Sequence, residues 1–403
     1  MNIVFFMQNN HAGGMDSFLI NSINNWPIDE DTFTFICNKN HTGIPIIKSG
    51  IKKKIKYIEH NLIISSEISE KYFSFLPYKV RRFIHPVIKI LMTPIHLASL
   101  RNIFSKLNAD RLLVINGAYP GGETCRLANI AWYQINKQLS IHNIRNFAVE
   151  PNFFLSIYEN YLDKLLIKST KTFIGVSKSC SESLRLRKNF ENINKIKFIY
   201  NGVLVPELDQ EKNHVFDIKK NLKIENQKIC LMLGTYEKRK GHEFLFNVFD
   251  KVSKKIPNLN LVVCGDSKKE DRKYVEMLRV KFASKSKIHL LDYINEGNIL
   301  MKQAEILLIS SQEWESFGWT AIEAMARKIP VVSTNSGGLK EVIGESGISG
   351  YCHKKDDVDG YAESIVKILT DNNIKNKIVD NAFKRVKNLF NQENMIKQYY
   401  DEI

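Results

Sequence analysis

Short apolar runs recur along the chain, and most are followed by a stretch whose apolar positions return every three or four residues. The runs at Ile3–Met7, Thr32–Cys37, Lys54–Ile58, Arg111–Ile115, Arg145–Val149 and Lys171–Val176 predict strands, and "KIKFIYNGV" adds another ending near residue 202. Helical periodicity covers Glu123–Ile135 and Phe154–Ser169 between the later runs. Residues 203–227 turn polar, as a linker would. The alternation then restarts: "KICLMLGTY", a helix over His242–Lys255, "LNLVVCGD", a helix over Asp271–Ala283, "KIHLLDYI", "ILLIS", a helix holding Glu323, and "PVVST". Strands that are apolar throughout, alternating with helices, belong to parallel sheets buried on both faces. The pattern therefore predicts an α/β chain of two doubly wound domains, residues 1–202 and 203–389.

Size agrees with that division: 403 residues exceed one ordinary core and suit two domains of about 200 residues each. Composition is globular, with 44% hydrophobic and 25% charged residues, which excludes disorder. The net charge of +15 admits nucleic acid, an anionic membrane surface or a phosphorylated ligand as partner. Six scattered cysteines without C-x-x-C spacing read as reduced thiols, and "MNIVFFMQNN" reads as a strand without signal-peptide features, so a cytoplasmic location is expected. One segment stands apart. Residues Glu70 to Phe104 interleave aromatic and aliphatic residues with Lys and Arg, and three prolines interrupt them. Lys89, Pro94 and His96 break the apolar run too often for it to cross a bilayer. The segment reads either as a basic amphipathic element for an anionic membrane surface or as a helix pair packed on the first domain.

Open α/β sheets bind ligands beyond the carboxyl ends of their strands, so the loops there carry the candidate chemistry. In "NHAGGMDSF", Gly13 and Gly14 let a ligand approach the backbone, and the following helix points free N–H groups outward, which suits phosphate. A tight turn would need the same glycines. In "LGTYEKRKGHEFL", Lys238, Arg239 and Lys240 crowd between a strand and a helix, as a diphosphate clamp or as solvated charge. In "ESFGWTAIEAMARKIPVVSTNSGG", Phe317 and Gly318 open a helix, Glu315 stands before it, and Glu323 lies eight residues on among Ile322, Ala324 and Met325. Two carboxylates so placed can hold sugar hydroxyls or work as a general acid/base pair. A carboxylate on an apolar helix needs a partner. Gly337 and Gly338 then repeat the strand, glycine pair, helix pattern and could offer amides to the same diphosphate. Ser177 in "GVSKSCSESL" reads as a helix cap.

Taken in order, "HAGGMDSF", "GVSK", "YNGV", "LGTYEKRKG", "LVVCGD", the Glu315–Glu323 pair of E-x7-E form and "GYCHKKD" resemble retaining glycosyltransferases of family 4. The resemblance covers nearly the whole chain and is sharpest from about residue 170 to 355. It implies a GT-B fold: two Rossmann-like doubly wound domains facing a central cleft, with a C-terminal helix, 390–403, packed back on the first domain. It implies a nucleotide-sugar donor (UDP-, GDP- or ADP-linked), a saccharide or lipid-linked acceptor, and chemistry without a metal or other cofactor. By motif, Lys240 and the backbone at Gly14 and Gly318 would neutralise the diphosphate. Glu323 would hold the ribose and Glu315 the donor sugar, while Tyr293 and Ile294 would lie at the base. Two departures stand out. Thr235 follows Gly234 where the family often has arginine, for which Arg239 is a substitute. Asn116, Tyr119 and Glu150 occupy strand ends where the family commonly offers a histidine.

The leading expectation is a retaining hexosyltransferase of bacterial surface polysaccharide or lipopolysaccharide synthesis, peripheral on the inner face of the cell membrane. A GT-B nucleotide-sugar 2-epimerase is the alternative. A basic nucleic-acid-binding protein is the remaining one, but the cations are dispersed and no nucleic-acid-binding module is present, so no nucleic acid is expected as a partner.

Overall fold

The computed structural model of the chain describes residues 1–206, 217–267, 271–294 and 297–403, without the side chains of Tyr78, Lys79, Arg82 and Asn298. The chain forms two compact units, Met1–Tyr200 with Glu393–Ile403, and Asn201–Gln392. Of the polar stretch 203–227, residues 207–216 lie outside the described residues, and a short helix, Ile218–Leu222, follows.

The first unit is built on β1 (Asn2–Met7), β2 (Thr32–Asn38), β3 (Ile55–His60), β4 (Arg111–Asn116), β5 (Ser140–Ile144), β6 (Thr170–Gly175) and β7 (Ile196–Phe198). They form one sheet in the order β3-β2-β1-β4-β5-β6-β7, every pair parallel. The central strands are buried on both faces, which is why β1 reads as an unbroken apolar run. The strand expected at Arg145–Val149 is instead β5, five residues earlier. Its sequence, SIHNI, carries His142 and Asn143 in the core and so shows no apolar run. Both are satisfied there: His142 Nδ1 meets Asn129 Oδ1 at 2.7 Å, and Asn143 Nδ2 donates to the Ile174 carbonyl at 3.0 Å. Burial pushes the His142 imidazole down to about 3, so it stays neutral.

The last helix, Gln392–Glu402, belongs to this first unit from Glu393 on. Met395, Ile396 and Tyr399 enter its core beside Phe5 and Phe18, and the Tyr399 hydroxyl accepts from Asn143 Nδ2 at 2.7 Å. The basic segment folds as two helices, Ser65–Phe73 and Tyr78–Phe104. The second runs through Pro86 and Pro94 without ending. This corrects the reading of a broken segment: Phe83–Phe104 is one helix long and apolar enough, by length and composition, to cross a membrane. One side of it is nevertheless packed on the unit, with Leu100 and Phe104 in the core beside Val4 and Phe6.

The second unit repeats the logic with β8 (Lys228–Leu233), β9 (Leu259–Cys264), β10 (Ile288–Leu291), β11 (Ile306–Ile309), β12 (Val331–Thr334) and β13 (Tyr351–His353). Their order is β10-β9-β8-β11-β12-β13, again all parallel. Helix His242–Lys255 buries Phe244, Leu245, Val248, Phe249 and Val252 at three- and four-residue spacing against this sheet. Two parallel sheets each wound by helices, in this pair of strand orders, are the GT-B architecture.

Candidate active site

In the second unit the strand-end loops draw the predicted charges together. Beyond β8 the chain makes a short 3-10 turn, Lys238–Lys240, and Gly241 reverses it at φ 72° before helix His242–Lys255 starts. Beyond β11, residues Ser310–Phe317 lead to Gly318, whose φ of 109° only glycine adopts readily, and helix Trp319–Ala326 begins there. The two loops meet at an ion pair: Lys240 Nζ lies 2.6 Å from Glu315 Oε2, the two side chains being 16% and 17% exposed. Ser311 Oγ donates to the same carboxylate oxygen at 3.1 Å. Arg239 is committed within the loops, bonded to Glu237 at 2.6 Å and stacked 4.4 Å from the Trp314 ring. Its Nη1 is 3.8 Å from Glu315, so it is a second, weaker cation there.

Glu323 lies on the helix beyond Gly318 and is half-buried, with Trp319 Nε1 donating to its Oε1 at 2.9 Å. Burial raises its pKa, against the lowering effect of the Trp319 bond and of Arg327. The partner that a carboxylate on this apolar helix needs is thus an indole one turn away. Gly338 is placed at the next helix start, but its amide donates to the Glu315 carbonyl at 2.8 Å. It fixes the backbone that carries Glu315, so the reading of Gly338 as a free amide for phosphate is corrected. Phe317 is buried and packs edge-on against Phe390 at 5.6 Å, supporting the loop from beneath.

Next to these loops, the ends of β8, β9 and β10 enclose a cavity of about 560 Å³, lined by Tyr236, Asp266, Arg272, Arg279, Asp292 and Tyr293 among others. Tyr293 is therefore at a cavity, whereas Ile294 is not among its lining residues. The walls close because β8 and β9 run together at their ends. A Cβ on Gly265 would stand 1.8 Å from the Gly234 carbonyl oxygen, so only glycine fits. The sequence reading missed Trp314, Trp319, Arg272 and Arg279. The rule that ligands sit at strand ends would have pointed to the arginines had the helix after "LVVCGD" been searched for cations.

Gly13 and Gly14 belong to the first unit, at the start of helix Gly14–Asn24. Open space lies where a side chain on either would stand, and the Gly13 amide donates to Asp16 Oδ2 at 2.9 Å. Asn116 and Tyr119 are buried and turned inward: Asn116 binds His142 and the Gly122 amide, and the Tyr119 hydroxyl donates to Asp163. Glu150 is exposed. Ser177 accepts from the Cys180 amide at 3.0 Å, the cap it was read as. No group of three or more His, Cys, Asp or Glu side chains among the described residues is placed to hold a metal ion.

Residues 214–385 match the family described as glycosyl transferases group 1. An uncharacterized glycosyltransferase of Methanocaldococcus jannaschii is 30% identical over 259 residues, spanning 62% of this chain and 62% of that relative. The capsular polysaccharide biosynthesis glycosyltransferase CapM of Staphylococcus aureus is 23% identical, over 74% of this chain and 78% of its own length. Among solved structures, Anabaena HepE in complex with UDP superposes with a TM-score of 0.72 at 15% identity, over 100% of this chain and 99% of that one, which speaks to the fold.

Proposed function

We propose, on the match of residues 214–385 to glycosyl transferases group 1, that the chain is a retaining hexosyltransferase. It moves a sugar from a nucleotide-sugar donor to a saccharide or lipid-linked acceptor, without a metal. The observation that carries this reading is the Lys240–Glu315 pair held beside the helix that starts at Gly318. The diphosphate of a nucleotide sugar carries two negative charges, and a third develops on its leaving oxygen as the bond to the sugar breaks. Lys240, once it turns from Glu315, supplies an ammonium, and the amides at the helix start supply fixed dipoles, so the departing charge is stabilised. When Lys240 turns to the diphosphate, Glu315 is released to accept from a hydroxyl of the donor sugar, where its charge favours the developing oxocarbenium ion. Glu323, held by Trp319, is positioned to accept from ribose hydroxyls. The cavity at Tyr293 is the place for the base.

A UDP-sugar is the first donor to try, because the solved neighbour carries UDP. Polysaccharide synthesis is the process, in keeping with the capsular relative. The test is to offer UDP-, GDP- and ADP-sugars with a panel of saccharide and lipid-linked acceptors, to follow release of nucleoside diphosphate, and to read the anomeric configuration of the product by NMR. Acceptor-dependent release with the donor's configuration retained is the expected result. Sugar released without acceptor, or an inverted product, overturns the reading.

A further inference from the structure

We propose that two segments of the first unit, the outer face of helix Tyr78–Phe104 and the stretch from Phe153 to Tyr161, form one docking surface for an anionic lipid bilayer. A helix packed on a soluble domain turns polar residues outward. Here the outward positions Phe83, Val87, Leu91 and Ile95, spaced four apart, are all apolar and all exposed, while Ile88, His96, Leu100 and Phe104 face inward. The second stripe follows the same spacing: Phe153 is 86% exposed and Ile157 is 87% exposed, with Tyr161 one turn on. The stripes join where the Phe83 and Phe154 rings meet edge to face, 5.5 Å apart. Apolar exposure on this scale marks an interaction surface.

Charge selects the partner. Residues 70–104 hold six Lys or Arg and one acid, Glu70; among the cations Lys71 and Arg101 are exposed, while Lys89 is turned in to Glu159. Helix Ser156–Ser169 does contain acids, but Glu159 and Asp163 are buried against Arg126 and Arg187, leaving Lys164 and Lys168 exposed beyond Tyr161. The face is thus apolar and aromatic with a cationic rim, the composition that suits a bilayer interface carrying anionic headgroups. At its edge a cavity of about 310 Å³ is lined by Ser66, Glu70, Arg81, His85 and Asn152 among others. Arg81 Nε is buried there and has no hydrogen-bond partner among the described residues, so it is left as a donor. The helix lies on the bilayer rather than crossing it, because its other side is part of the unit's core.

The experiment is co-sedimentation of the full chain with phosphatidylcholine vesicles, with and without about one third phosphatidylglycerol, at low and high salt. Binding to the anionic vesicles only, weakened by salt, is expected. Phe153→Ser with Ile157→Ser, and separately Lys164→Glu with Lys168→Glu, should each lower the apparent affinity at least about tenfold, with the melting temperature unchanged. A pair that lowers the melting temperature is replaced by Phe153→Ser alone, whose side chain is almost fully exposed and leaves no cavity behind. No binding to anionic vesicles, or equal binding by the variants, overturns the proposal. So does sedimentation velocity showing a self-associating chain that Phe153→Ser makes monomeric, since the face would then join two copies. UDP affinity is measured on the same samples. It reports on the second unit, so loss of vesicle binding and failure of the transferase reading are told apart.

Discussion

Each unit gathers cations and carboxylates into one cluster, and the clusters differ in their access to water. In the first unit, Arg187 bonds Asp163 at 2.8 Å and Glu159 at 2.7 Å, Arg126 bonds Asp163 at 3.1 Å, and all four side chains are 0–4% exposed. Lys89, from the long helix, reaches Glu159 at 3.6 Å. In the second unit, Arg239, Lys240, Glu237 and Glu315 pair at similar distances but stay 16–18% exposed. A fully desolvated network cannot trade partners without stranding a buried charge, so it locks helices in place. A cluster that keeps contact with water can exchange one partner for a ligand at modest cost. Identical residue types thus serve as a clasp in one unit and as a candidate binding site in the other.

The largest effect should come from breaking the clasp. Asp163→Asn leaves Arg126 and Arg187 short of a buried counter-charge and should cost about 3–5 kcal/mol of first-unit stability, read by urea unfolding. UDP affinity should be unchanged; a fall in UDP affinity without unfolding would erase the distinction between the clusters.

Next comes Glu315→Gln, expected to lower kcat about a hundredfold, or about 3 kcal/mol, with stability unaffected. Because Glu315 holds Lys240, its neutralisation should leave nucleoside-diphosphate affinity the same or tighter. Wild-type turnover by this variant would make the open cluster merely structural.

Lys240→Ala should weaken nucleoside-diphosphate binding by about 2 kcal/mol, about thirtyfold, measured by titration calorimetry. Unaltered affinity would shift the clamp to Arg239 or to Arg272 and Arg279.

The smallest effect is expected at Glu323. Glu323→Gln should raise donor KM several-fold, about 1 kcal/mol, with kcat retained. Burial raises this carboxyl's pKa, so the wild type loses its charge at a higher pH than an ordinary glutamate. Donor KM should therefore rise as pH falls toward that range, and the Gln variant should lack the rise. A pH profile shared by both proteins would remove Glu323 from donor binding.

Much of this was legible before the fold was known. Apolar runs such as IVFFM and LNLVVC mark strands because both faces of a parallel sheet are dry, and helix His242–Lys255 has the bounds its periodicity predicts. The glycine-bearing loops at strand ends marked Lys240, Glu315, Gly318 and Glu323. Strand β5 escaped notice because its inward residues are a histidine and an asparagine, satisfied by partners such as Asn129 and Ile174 that no local pattern announces.

By itself the sequence determined the alternation of strands and helices, since burial imposes a period on each element, and it placed candidate ligands at loops through glycine and charge. Which charges are sealed and which remain open was decided only by tertiary packing. Glu159 and Asp163 look like any helix surface in the sequence, yet neighbouring helices close over them and set them against Arg126 and Arg187. Likewise, only folding takes the Gly338 amide for the Glu315 carbonyl and leaves Phe153 and Ile157 facing outward. A residue's type fixes which bonds it can make, and its three-dimensional neighbours fix which bonds remain available to a ligand.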